Sequence, residues 1–431
     1  MPEARRRAGL LLILWQILTF AAAPLLRYHL QKRLARGKEL PDRWQEKLGM
    51  AGLPRPEGRI VWLHAVGLGE VLASRGLILN MASKDPELEF LVTSGTRASA
   101  EVLARNMPPR SRHQFLPLDS PRFAARFLNH WRPDLSIWSE QDLWPGLVLQ
   151  TDRRGIPLAL VNARMNTRAF QSRRRIRPLF RDIYRRFAMI SAQDAESAHH
   201  IRLLGARVPE MPICSLKPTA PALADNPQDR IKIQAQLSGR HVWLAASTHP
   251  EDEAMVLAAH AKLRLRENSA LLILVPRLPE RGAEIVSACV EAGFSVGRRS
   301  LGHMITPEMS VYLADTYGEM GLWYRLVNAV FVGGSMGAVQ GHNPWEAAKL
   351  GVAILHGPNT GNFKTDFADL HACDAARQID TPDALARALR DPALQGMGMR
   401  GQQLTHTRME GLDELCQKLR ILLNSSGQHG H

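Results

Sequence analysis

Residues 328–356 read NAVFVGGSMGAVQGHNPWEAAKLGVAILH, and this stretch decides the fold. Two apolar runs of strand length, NAVFV and GVAILH, enclose a glycine-rich turn and a short helical pattern. Adjacent parallel strands need a crossover of this kind, so the stretch reads as one strand-turn-helix-strand unit of a parallel sheet. Glycines let backbone amides come close to a ligand, and Asn343-Pro344 opens the helix with Glu346 in its first turn. Amides beside a helix start suit an anion such as phosphate. An Asn cap, a first-turn Pro and an early carboxylate also serve a helix start that binds nothing.

The same alternation extends outward on both sides. RIVWLHAV from Arg59, LEFLVTS, PDLSIWS, IPLALVNA and FAMISAQ read as strands with helical patterns between them, to about residue 194. SLKPTAPALADNPQD, residues 215–229, has a linker's composition. HVWLAAST, ALLILVPR and MSVYLADT then restart the series and lead into the opening stretch. A chain of 431 residues exceeds what one core usually fills, so two doubly wound α/β domains are expected. There is no Walker motif and no G-x-G-x-x-G at a strand-to-helix turn of the first domain, which argues against an NTPase or a dehydrogenase. Cys214, Cys289, Cys373 and Cys416 lie far apart, in no zinc-binding pattern.

The formal charge of +14 favours anionic partners. Between Arg164 and Arg186 nine arginines, Arg173, Arg174 and Arg175 among them, interleave with apolar residues and one acid, Asp182. Such a segment suits an anionic membrane surface, or else packs as a solvated basic helix on its own domain. No zinc finger, helix-turn-helix or aromatic RNA motif accompanies it, so nucleic acid is not the expected partner. At the N-terminus an uncharged run, Gly9 to Leu26, lies between Arg5-Arg6-Arg7 and a second basic cluster. It reads as an uncleaved membrane anchor or half-buried helix in preference to a signal peptide, because Pro24 makes cleavage after Ala21 to Ala23 awkward.

Polar residues collect at the expected carboxyl ends of the strands. Glu70 follows Gly67 and Gly69 in HAVGLGE, where a carboxylate could serve as a general base or as an ordinary first-turn acid. SEQDLWP puts Glu140, Asp142 and Trp144 after a strand, STHPEDE puts Ser247, Thr248 and His249 after another, and PRLPER supplies Pro276 and Arg277. With LPLD at 116–119, VNAR at 161–164, DTYGE at 315–319 and the opening glycine loop, these motifs in this order resemble the Kdo (3-deoxy-D-manno-octulosonic acid) transferases of lipopolysaccharide assembly. The likeness runs from about residue 40 to 365.

The resemblance implies a GT-B fold: two Rossmann-like domains facing a central cleft, behind an N-terminal hydrophobic anchor helix. On the sequence the expected divisions are 1–38 for the anchor and its basic flank, 39–213 for the acceptor domain, 214–240 for the linker and 241–431 for the donor domain with a C-terminal helix. The implied enzyme is inverting and metal-independent, needs no cofactor, and moves Kdo from CMP-Kdo to a lipid A precursor at the cytoplasmic face of the inner membrane. By the same resemblance Glu70 is the general base. Ser247, Thr248, His249, Pro276, Arg277, Gly333, Gly334, Ser335, Gly341, His342, Asn343 and Glu346 form the donor side. Gly69, Glu140, Asp142, Arg164, Arg173, Arg174 and Arg175 form the acceptor side, with anionic membrane lipids nearby. Gly67 stands where the family has Ser, Asp142 where it has Glu, Gln340 where it has Gly and Trp345 where it has Leu. These departures keep open a divergent paralogue acting on another sugar or lipid, or a non-catalytic membrane-bound partner that binds nucleotide or lipid.

Overall fold

The computed structural model describes residues 7–65 and 68–426. The chain divides into two compact units, Met1–Ala220 with Arg408–His431, and Pro221–Thr407.

The first unit opens with α1 (Leu10–Ala21) and α2 (Ala23–Ala35). It continues through β1 (Ile60–His64), α3 (Leu68–Lys84), β2 (Glu89–Ser94), α4 (Arg97–Asn106), β3 (Ser111–Phe115), α5 (Pro121–Trp131), β4 (Leu135–Ser139) and α6 (Pro145–Arg153). After these come β5 (Leu158–Ala163), α7 (Thr167–Arg174), α8 (Arg177–Tyr184), β6 (Met189–Ala192) and α9 (Ala195–Leu204). All strand pairs are parallel, in the order β3-β2-β1-β4-β5-β6. Ile60 and Trp62 enter the core on one face of the sheet, Val61 and Leu63 the core on the other. Burial on both faces is why β1 reads as an unbroken apolar run. The order reverses between β1 and β4, the place where ligands bind in open parallel sheets.

The second unit begins with α10 (Pro227–Gln236), β7 (Val242–Thr248), α11 (Pro250–Arg264), β8 (Leu271–Pro276), α12 (Gly282–Glu291), β9 (Val296–Arg298) and β10 (Val311–Leu313). It goes on with α13 (Met320–Tyr324), β11 (Ala329–Val332), α14 (Trp345–Lys349), β12 (Ala353–His356), α15 (Lys364–Ala372), β13 (Ala376–Gln378), α16 (Pro382–Ala388) and the start of α17 (Leu394–Ser426). Its sheet is also parallel, in the order β13-β12-β11-β7-β8-β10-β9, and reverses between β7 and β11. The opening stretch of sequence is therefore β11, its glycine loop, α14 and β12, with β11 beside the switch point.

Two divisions expected from sequence differ here. Residues 408–426, grouped above with the second domain, belong to the first unit, because Leu412, Leu415, Leu419 and Leu423 of α17 join the core under β1, β2 and β4. The apolar run 9–26 is not one helix. Pro24 has no N–H for the Phe20 carbonyl, and the run breaks at Ala22 into α1 and α2, bent by 58°. No single helix among the described residues is long and apolar enough to cross a membrane; only this bent pair passes such a test together. Helix α1 packs against α5, α6 and α8 and buries Leu12 and Gln16, leaving Leu10, Ile13, Leu14, Ile17, Leu18 and Phe20 exposed.

Candidate active site

In the first unit the polar residues meet around the β1/β4 switch point. Glu140 ends β4 in the left-handed region, at φ 61°, and its N–H donates to the Val161 carbonyl at 3.1 Å. Asp142 accepts from the Trp144 indole at 3.0 Å, and its Oδ2 lies 3.8 Å from Nε2 of His64, at the end of β1. His64 is fully buried, bonded through Nδ1 to Thr93, while its Nε2 has no hydrogen-bond partner among the described residues. Burial by itself would raise the Asp142 carboxyl. The His64 imidazole, the Trp144 indole and the charge of Arg173 outweigh it and hold the group below its ordinary value.

Arg173, at the end of α7, reaches this loop and donates to the Gln141 carbonyl at 2.9 Å. Arg174 and Arg175 do not reach it; they are exposed where α7 stops and Pro178 starts α8. Arg164 is half-buried just after β5. Glu70 and Gly69 fall in the first turn of α3, after β1, but their side-chain surroundings lie outside the described residues, as Gly67 does altogether.

In the second unit the donor-side residues gather at the β7/β11 switch point. Ser247 bends the end of β7 into the left-handed region, at φ 55°, and Gly333 passes so close that a Cβ there would lie 2.5 Å from the Ser247 carbonyl oxygen. The rings of His249 and His342 stack 5.2 Å apart, and their Nε2 atoms share a hydrogen bond of 2.9 Å, one donating and the other accepting. Burial, with the charges of His249 and Arg277, lowers His342 to about 4, so it is neutral at physiological pH. Burial pushes the Glu346 carboxyl upward against a 3.3 Å hydrogen bond from Asn343 and the charge of Arg277. Arg277 is exposed beside β7, its N–H on the Thr248 carbonyl.

The loop amides expected to face a nucleotide are turned inward instead. Gly334, Ser335 and Met336 donate to the carboxylate of Asp252 at 2.6, 3.2 and 3.0 Å, and His249 adds a fourth N–H at 3.0 Å. A fully buried carboxylate demands donors, and three successive amides form the concave nest that supplies them. Two expected donor-side hydroxyls are also occupied. Ser335 donates to the Val332 carbonyl and accepts from Gly357 N–H, and Thr248 donates to Glu253. Gly341 donates to the Gly334 carbonyl at 2.7 Å and so closes the loop. Beside this loop His249 and His342 are half-buried and Arg277 is exposed. Asp252 and His64 escaped the sequence reading, though the run of acids after STHP and the His before the glycine turn were visible signals.

Two parallel Rossmann-like sheets, each gathering polar residues at its switch point, are the fold that glycosyltransferases of GT-B type share. The glycosyltransferase VinC in complex with dTDP superposes with TM-score 0.51, at 13% identity, covering 85% of this chain and 100% of that one. MurG of Acinetobacter baumannii does so with TM-score 0.51, at 13% identity over 84% of this chain and 100% of its own. At such identity these two attest to the fold. The chain belongs to the 3-deoxy-D-manno-octulosonic acid transferase family. The family model described as 3-Deoxy-D-manno-octulosonic-acid transferase (kdotransferase) matches residues 42–215. The 3-deoxy-D-manno-octulosonic acid transferase of Rickettsia bellii is 33% identical over 87% of this chain and 89% of its own length. That of Haemophilus influenzae is 32% identical over 79% and 80%.

Proposed function

We propose that the protein transfers Kdo from CMP-Kdo to a hydroxyl of the lipid A precursor lipid IVA, with inversion and without a metal. The second unit takes the donor and the first the acceptor. The observation that carries this reading is the cluster of His249, His342, Arg277 and Glu346 at the β7/β11 switch point: one cationic side chain and two imidazoles for an anionic donor, and a carboxylate able to accept from sugar hydroxyls. Glu70, placed by its motif at the start of α3, takes the proton of the acceptor hydroxyl. The freed oxygen bonds to the anomeric carbon as the bond to the CMP oxygen breaks, and CMP leaves with the electron pair. Its charge is met by Arg277, with the imidazole pair beside it as a source of hydrogen bonds. The apolar outer face of α1 and the basic α7–α8 segment support attachment to the anionic cytoplasmic face of the inner membrane.

One observation favours a second reading, a paralogue acting on a different lipid: Asp142 stops 3.8 Å short of His64, at a position where the motif resemblance implies a Glu longer by one methylene. The test is transfer by the purified protein in detergent, with CMP-Kdo generated in situ and a tetra-acylated, bisphosphorylated disaccharide lipid, followed by product mass. A Kdo-sized increment made by wild type and lost in Glu70→Ala is the expected result. No product from a wild type that binds CMP would overturn the lipid IVA assignment and turn attention to other acceptors.

A further inference from the structure

The LPLD motif ends in Asp119, which the proposed chemistry leaves without a role. Its side chain is almost fully buried between three elements of the first unit. The Trp15 indole of α1 donates to it at 2.6 Å, and the first two free amides of α6, Gly146 and Leu147, donate at 2.9 and 2.8 Å. Helix α1 turns Leu12 and Gln16 to the protein. Its exposed face is apolar, and Gln16 accepts from Gln150 of α6 at 2.8 Å. Space at the junction is fully used, since a Cβ on Gly146 would lie 2.4 Å from Asp119 Oδ1 and 2.5 Å from Gln16 Nε2. Helix α6 is also where the acceptor-side loop ends. Its N-cap, Trp144, donates to Asp142, which in turn faces His64. Polar contacts thus join α1 to the start of α6 through Asp119, and the backbone from Gly146 back to Trp144 carries the connection on to Asp142.

We infer that Asp119 is a positioning residue for the acceptor, fastening the loop that carries Glu140 and Asp142 to the outward-facing helix α1. The inference rests on the proposal that this loop meets the acceptor. Its role is to fix the distance between the surface that meets the lipid and the acids that meet the sugar headgroup, so its loss should weaken acceptor use and leave the donor alone.

The test compares Trp15→Phe, which keeps the ring and removes the N–H, with Gly146→Ala, which removes no hydrogen-bonding group but displaces Asp119. Both are assayed with detergent-dispersed acceptor, so that binding to a bilayer plays no part, and Asp142→Ala is run beside them. Loss of one hydrogen bond to a charged group corresponds to about a tenfold effect. Each variant is expected to raise the acceptor KM about tenfold, with kcat and the CMP-Kdo KM unchanged, and to speed hydrogen exchange at the Gly146 and Leu147 amides. If Asp142→Ala raises the acceptor KM while both junction variants keep the wild-type value, the inference is overturned and the acceptor reading stands. If Asp142→Ala leaves the acceptor KM unchanged, the acceptor reading fails and the inference with it. Donor and acceptor KM rising together would also overturn the inference. Should Trp15→Phe fold poorly, Gly146→Ala decides alone.

Discussion

At the scale of single residues, the most consequential side chain is one that touches no substrate in the proposed reaction. Asp252 holds four backbone N–H groups, including three in the glycine loop and the one that starts the His249 turn. Asp252→Asn would place an amide NH2 against some of those N–H groups, and hydrogen bonds to a buried charge are strong in both directions. The expected result is a loss of about 2–4 kcal/mol in denaturant stability and at least about a tenfold weakening of CMP binding by calorimetry. Unchanged CMP affinity would show that the loop geometry does not depend on this carboxylate. Residues at this scale were only partly legible. Glu346 and His342 stood out because they sit in a glycine loop, whereas Asp119 and Asp252 also bond to amides of segments 27 to 84 residues away, and no local pattern announces that.

At the scale of elements, sequence patterns and structure agree wherever a strand is buried on both faces. The strands that escaped the reading are β3, β9 and β13, all at sheet edges and all short or polar, so no apolar run marks them. The two helical segments that looked continuous each split near a proline, α1 from α2 at Pro24 and α7 from α8 at Pro178. Helix α17 was assigned whole to one domain because its apolar spacing names no partner; its second half packs on the first unit. Leu419 is completely buried there. Leu419→Ala should therefore lower the unfolding free energy by about 2–5 kcal/mol in a urea titration, as for other buried leucines. A loss under about 1 kcal/mol would deny this half of α17 its place in that core.

At the scale of the whole molecule, burial keeps a set of imidazoles uncharged. His113 is lowered to about 3, by burial first and then by the Arg43 charge; His260 and His356 are lowered to about 4, chiefly by burial. A depressed folded-state value means the unfolded chain binds protons first, so stability is full above about pH 6.5 and falls as pH drops toward 4. By pH 5 each of these imidazoles should have removed about 2 kcal/mol. The carboxyls of Asp119 and Glu346, pushed up by burial, act in the opposite sense and offset part of the loss. Urea unfolding at pH 7.5 and pH 5 measures the balance, and equal free energies at the two would contradict it. The two-unit plan itself was legible from alternating runs alone; the crossing of α17 was not, and it bears on how the protein is made. Because residues 408–426 complete the core of the first unit, a ribosome releases the second unit's entire sequence before the first can close. The half made first is finished last, and until then its unfinished sheet face is a surface for chaperones to guard.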